Sequence, residues 1–175
     1  MPADDPVRNL ALAALEADAQ ARDLLKPGAE SRIAFSDLYR YATDPAFDLP
    51  PDVKVKLAAD PAAAADLERI IAAQLFAHMP RQAAAATDGA VRRETDSAVL
   101  TLTPSRAAPT QVYLGIELTD KENTGPRQLF ARTVSGAWLR VTLPAFSGGR
   151  AQVLLEADAD MARALGDPET EVYLR

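Results

Sequence analysis

The spacing of apolar residues changes near Ala98, and this change constrains the fold more than any other sequence feature. Before Ala98, apolar residues recur at steps of three and four, which is typical of amphipathic helices. After it, the best segment is 111–118, where every second residue is a large aliphatic one: Val112, Leu114, Ile116 and Leu118. A period of two places these side chains on one face of a strand. The pattern therefore predicts a helical first half and an antiparallel β second half.

Further short strands are predicted on either side of this segment, at 99–103, 128–134, 138–143, 150–155 and 171–174. Ser135-Gly136 has the composition of a hairpin turn, and the residues 147–149 form a second turn. A short helix is predicted over 158–165, ending at Gly166. Strands separated by hairpin-type turns favour a small antiparallel β-sandwich or a partly open barrel.

The first half is predicted to contain four helices, at 6–25, 36–42, 52–58 and 61–78. The last has the clearest start, because Asp60 suits the N-cap position and Pro61 suits the first turn. The segment 81–97 reads as a linker in which Arg92 and Arg93 are solvated. The predicted fold class is thus α+β: an N-terminal helical bundle over 1–80, the linker, and the β domain over 98–175.

The formal net charge of −6 argues against direct binding to nucleic acid, because an acidic chain repels phosphate groups. Up to Ser97 there are 11 basic and 16 acidic residues, against 8 and 9 afterwards. The acidity is concentrated in the helical half, where we expect a basic partner to bind.

No catalytic, cofactor-binding or metal-binding residues are predicted. The chain has no cysteine and one histidine, His78, which the helix prediction puts in a last turn, where a cation is favourable. Glu156, Asp158 and Asp160 alternate but lack the glycine and glutamate positions of an EF-hand loop. Serine nucleophile and phosphate-loop motifs are missing from the sequence. We therefore expect a protein that is not an enzyme and needs no cofactor.

An aliphatic stripe on the fourth predicted helix is the one candidate partner-binding surface. Such a stripe is usually core, but it also suits a helix that binds in a partner's groove. Its members are Leu67, Ile70, Ile71, Leu75 and Phe76.

The location is expected to be cytoplasmic. The first six residues are acidic and proline-containing without an apolar h-region, and no stretch has the length of apolar sequence that spans a bilayer. We accordingly expect neither a secretory signal nor a membrane anchor.

The segment 39–70, YRYATDPAFDLPPDVKVKLAADPAAAADLERI, resembles the helical N-terminal region of bacterial anti-sigma factors. In that family a short tyrosine-containing helix, a proline-containing turn, a helix and a Leu-Ala-Ala-Asp-Pro step follow in this order; here the last is 57–61. Many members carry a zinc-binding His-x-x-x-Cys-x-x-Cys motif, whereas this chain has no cysteine and is similar only to the zinc-less type. The resemblance implies sequestration of a sigma factor by the helices.

Two classes of function follow as hypotheses. The first is a cytoplasmic regulatory protein whose helices bind a partner protein, with a sigma factor as the candidate. The second is a ligand-binding or assembly module that works through the β domain. A third, an enzyme using a pair of carboxylates, has no motif to support it.

Overall fold

The structure, a computed structural model, describes residues 32–81, 86–87, 90–122 and 124–175. The chain divides between Ala73 and Gln74 into two compact units, which we call the helical unit and the β unit. The helix predicted over 6–25 lies outside the described residues. The described helices are α1 (Phe35–Thr43), α2 (Pro51–Ala59), α3 (Pro61–Ala72) and α4 (Asp160–Gly166). The described strands are β1 (Ala77–Met79), β2 (Ala86–Thr87), β3 (Ala90–Glu94), β4 (Ala98–Pro104), β5 (Gln111–Leu118), β6 (Gln128–Arg132), β7 (Trp138–Thr142), β8 (Arg150–Glu156) and β9 (Glu171–Leu174).

Helix α3 begins as its sequence predicts. The Asp60 carboxylate accepts hydrogen bonds from the backbone N–H groups of Ala62 at 2.9 Å and Ala63 at 3.2 Å, and Pro61 occupies the first turn. These bonds satisfy two donors that a helix start leaves unpaired. In the helical unit α3 packs against α1 and α2. Large side chains that are almost wholly buried in these helices are Leu38, Tyr41, Leu57, Leu67, Ile70 and Ile71.

The prediction that this helix continues to His78 is wrong. It ends at Ala72, and His78 lies in β1, where it pairs with Tyr173 of β9. The backbone N–H of Phe76 donates to the carbonyl of Leu174 at 2.8 Å, so the chain already follows β9 one residue before β1 begins. The mostly apolar segment 75–79 is compatible with a helix or a short strand. Pairing with β9, which is distant in the sequence, stabilises the strand.

The β unit contains two antiparallel sheets. The four-stranded sheet has the order β1-β9-β6-β7, and the five-stranded sheet has the order β2-β3-β4-β5-β8. Apolar side chains from both sheets and from α4 form one core, as the alternation in β5 predicts. Its most buried members include Met79, Leu100, Leu114, Leu118, Leu129, Leu165, Val172 and Leu174.

This architecture corrects the predicted fold class. The described helices are three short ones within 35–72 and one at 160–166, and they are not an N-terminal bundle; the fold is mostly β, with two antiparallel sheets. The three helices within 35–72 are nine to twelve residues long, and most of the described elements are strands. The individual strand predictions fare better: β5 has the predicted bounds, and Gly136, with φ of 84°, lies in the predicted hairpin turn between β6 and β7.

A buried arginine connects β3 to the end of α4. Arg93 is 2% exposed, and its guanidinium donates to the backbone carbonyls of Thr170 at 2.6 Å, Leu165 at 3.3 Å and Asp167. Burial lowers the pKa of Arg93, while the charge of Asp167 opposes that shift. The prediction of a solvated Arg93 is therefore wrong. Its side chain satisfies carbonyls at and beyond the helix C-terminus that lack a helical partner.

Among the described residues, no helix combines the length and the apolar character needed to cross a membrane.

Candidate binding groove

Strand β5 is central in the five-stranded sheet, and its two faces differ. Leu114, Ile116 and Leu118 point into the core and are at most 2% exposed. Tyr113 and Gly115 lie on the opposite face of the strand, which we call the outer face. The same alternation in β3, β4 and β8 brings polar and charged side chains to this outer face.

Gly115 forms the floor of a groove on the outer face. In the register of the sheet it lies between Thr101 on β4 and Gln152 on β8, and Thr101 pairs in turn with Arg92 on β3. A Cβ atom at position 115 would lie 2.8 Å from the Thr101 Oγ1, so a larger residue requires Thr101 to move. The groove has a volume of about 430 Å³. The missing side chain therefore leaves a depression in the middle of the sheet.

Ion pairs border this groove. Arg150 lies directly opposite Glu117 in the β5–β8 pair and donates to its carboxylate at 2.8 Å. Arg92 donates to Glu94 on its own strand at 2.9 Å. Both pairs are largely exposed to solvent. Exposed ion pairs contribute little to stability, so stability does not explain why arginines occupy positions 92 and 150.

The hydrogen bond and the charge of Arg150 lower the pKa of Glu117, and the charges of Lys121 and Arg92 act in the same direction. Glu117 is thus a single carboxylate influenced by three cationic side chains. Because its pKa is lowered, Glu117 keeps its charge and its ion pair below the ordinary pKa of a glutamate, until the pH falls through the lowered pKa.

A tight turn closes one end of the groove. Gly148 and Gly149 have φ of 57° and 75°, and Ser147 and Arg150 exchange backbone hydrogen bonds of 2.9 and 3.1 Å across them. Positive φ at both central residues is the geometry of a type I′ turn, which explains the two glycines. The turn, predicted from the sequence, holds Ser147 and Arg150 beside the groove.

An apolar pair continues the outer face on the other side of Gly115. Tyr113 and Leu154 are cross-strand partners, 36% and 47% exposed. They lie one same-face step along β5 and β8 from Gly115 and Gln152, in the direction away from Glu117 and Arg150. The outer face thus changes from charged to apolar across the glycine.

The groove offers groups that donate and accept hydrogen bonds. The side chains around the groove include guanidinium, carboxylate, hydroxyl and amide groups. The single histidine lies in the other sheet, where its ring stacks on Tyr173 with a centroid distance of 4.5 Å. Within the described residues, no group of three or more His, Asp or Glu side chains is placed to hold a metal ion.

The predicted partner-binding residues are divided between the helical unit and the β unit. Leu67, Ile70 and Ile71 are fully buried within α3. Leu75 and Phe76 follow the helix in the β unit, where Leu75 is 38% exposed and Phe76 packs against the β core. The groove is not among the sites predicted from the sequence, although a glycine inside the most regular strand is a signal for it.

No family model, curated protein or solved structure matches this chain. The function is therefore argued from the geometry of the molecule itself.

Replacing Arg150 with alanine should raise the pKa of Glu117 toward the 4.5 of an ordinary glutamate, because the largest cause of its lowering is removed. A titration of the Glu117 carboxyl carbon by NMR measures this. Arg163→Ala is the matched control, since Arg163 is equally exposed and pairs with Asp160 on α4. An unchanged midpoint in Arg150→Ala would show that the ion pair does not form in solution.

Proposed function

We propose that this protein is a non-enzymatic binding module whose β unit holds a ligand in the groove over Gly115. The observation that carries the proposal is the glycine itself. Glycine inside a strand costs roughly 0.5–1 kcal/mol relative to alanine. Gly115 has no positive φ that would require it, and it lines the groove without a side chain of its own, beside the Thr101 hydroxyl. A strand glycine of this kind is typical of a site where a ligand approaches the backbone closely.

The surroundings of Gly115 support the same function. The volume of about 430 Å³ falls within the range of small-molecule sites, roughly 300–1,000 Å³. Polar groups from four different strands and from the turn at 147–150 converge on it. They are held by regular strand pairing, so the site is preorganised on a rigid sheet.

The helix-based regulatory function, with a sigma factor as partner, stays a prediction. Three of its five residues, Leu67, Ile70 and Ile71, are buried, so their use would require the helical unit to open. A cytoplasmic location is part of the present proposal. A fold without cysteine does not depend on an oxidising compartment.

A fragment screen followed by amide NMR tests the proposed function. We expect binders to shift the Gly115 and Gln152 resonances first. Gly115→Val should abolish these shifts by filling the floor, whereas Gly166→Val should not, because a Cβ at position 166 meets nothing within 4 Å. Gln152→Trp, at an exposed position on β8, should block the groove without crowding Thr101.

Thermal unfolding of each variant separates loss of the groove from loss of the fold. The proposal fails if the screen yields no fragment that shifts groove resonances. It also fails if folded Gly115→Val and Gln152→Trp bind the fragments as the unsubstituted protein does.

A further inference from the structure

We infer that the ligand of this groove is a small amphiphilic anion, with its anionic group held by Arg150 and Arg92 and its apolar body lying over Tyr113 and Leu154. This inference rests on the proposed function and names the class of ligand. It follows from two features of the outer face: the local sign of its charge and the position of its apolar pair.

Cations are in excess at the charged end of the groove, although the chain as a whole is acidic. Of the charged side chains that line the groove, Arg92 and Arg150 are cations and Glu117 is an anion. The lining therefore carries a net positive charge in a protein of net charge −6. An anion is the ligand that this local charge favours.

The arginines have the hydrogen-bonding capacity for a second acceptor. A guanidinium carries five N–H donors, so an arginine that donates to one glutamate retains others. It also matches the geometry of a carboxylate or a phosphate, to which it donates two parallel bonds. Glu117 and Glu94 are exposed enough to rotate toward solvent when a ligand carboxylate approaches.

The apolar pair sets the shape of the ligand. Glu117 and Tyr113 are four residues apart on β5, and Arg150 and Leu154 are four apart on β8. Four residues of a strand span about 13 Å. Gly115 lies halfway, between Thr101 and Gln152, and has no side chain of its own to block a slender chain that runs along β5. The ligand is therefore elongated, anionic at one end and apolar at the other.

Three probes with the same tail and different head groups test this inference: decanoate, decanol and decyltrimethylammonium. Binding is measured by isothermal titration and by the shift of the Gly115 amide. We expect decanoate to bind about tenfold or more tightly than decanol, which corresponds to one good charge-assisted contact. The cationic probe should be the weakest. The preference for decanoate should shrink as salt is raised.

Substitutions at the two ends of the groove give separate signatures. Arg150→Ala and Arg92→Ala should each weaken decanoate about tenfold and decanol hardly at all. Arg163→Ala, an equally exposed arginine on α4, should change neither. Leu154→Ser should act on the tail: the advantage of decanoate over hexanoate, about twofold per methylene for a half-covered chain, should shrink, with Tyr113 left as the remaining apolar contact.

Equal binding of decanoate and decanol would overturn the anionic assignment and leave the groove as a binding site. The inference is also overturned if decanoate binds without shifting Gly115, or if all three probes fail to bind a groove that the fragments do occupy. If the groove binds no fragment, the proposed function falls together with the inference.

Discussion

Replacing Arg93 with methionine is expected to lower the free energy of unfolding of the β unit by about 3 kcal/mol. Methionine has the length to fill the space but no donor. The carbonyls of Thr170, Leu165 and Asp167 would lose the guanidinium that now binds them. The Asp167 carbonyl still accepts from the backbone N–H of Thr170, but Leu165 and Thr170 are buried, where an unsatisfied carbonyl is costly.

Chemical denaturation followed by circular dichroism measures this loss. Arg92→Met is a closely matched control. Arg92 is the neighbour of Arg93 on β3, its side chain is exposed, and it forms an ion pair with Glu94. We expect it to change stability by no more than about 0.5 kcal/mol. Arg93→Lys should be intermediate, because an ammonium is a point donor without the planar fork. Equal losses for Arg92→Met and Arg93→Met would contradict the structural role.

Replacing Leu67 with alanine is expected to cost about 3 kcal/mol. Leu67 is 0% exposed in α3, so the substitution removes buried methyl groups and leaves a cavity. The result also bears on the partner-binding hypothesis for this residue. A side chain that serves only to contact a partner stands exposed in the free protein, and its truncation leaves the free protein about as stable as before.

Thermal or denaturant unfolding of the isolated protein provides the measurement, with the helical signal as readout. Val55→Ala in α2 is the control, because Val55 is 71% exposed and alanine favours helix. We expect that variant to be neutral or slightly more stable. A Leu67→Ala protein as stable as Val55→Ala would show that Leu67 is not part of the core.

Local patterns predicted the local structure well. The alternation in β5 and the Asp60-Pro61 helix start depend on residues that are adjacent or nearly so, and both are confirmed. The glycines at 148–149 likewise belong to a turn whose geometry is decided by its own backbone. In these cases the residues that decide the local structure lie next to or near each other in the sequence.

Features that depend on distant partners were missed. The helix ends at Ala72 because residues 76–79 pair with β9. No residue close to position 77 in the sequence indicates this pairing. The sequence around Arg93 predicts a solvated side chain, because its nearest neighbours are charged. The carbonyls that Arg93 binds belong to residues 165–170, far away in the sequence. The groove requires Arg92, Gly115 and Arg150 from three strands, and only the register of the sheet brings them together.

The position of β9 has a consequence for how the molecule is made. Glu171–Leu174 lies between β1 and β6, so the strand reached last in the described chain occupies an interior position in its sheet. A nascent polypeptide that has emerged only as far as β8 lacks the strand that joins β1 to the rest of that sheet. Completion of the four-stranded sheet is therefore expected to wait until residue 174 has left the ribosomal tunnel, whereas all strands of the five-stranded sheet emerge before β9.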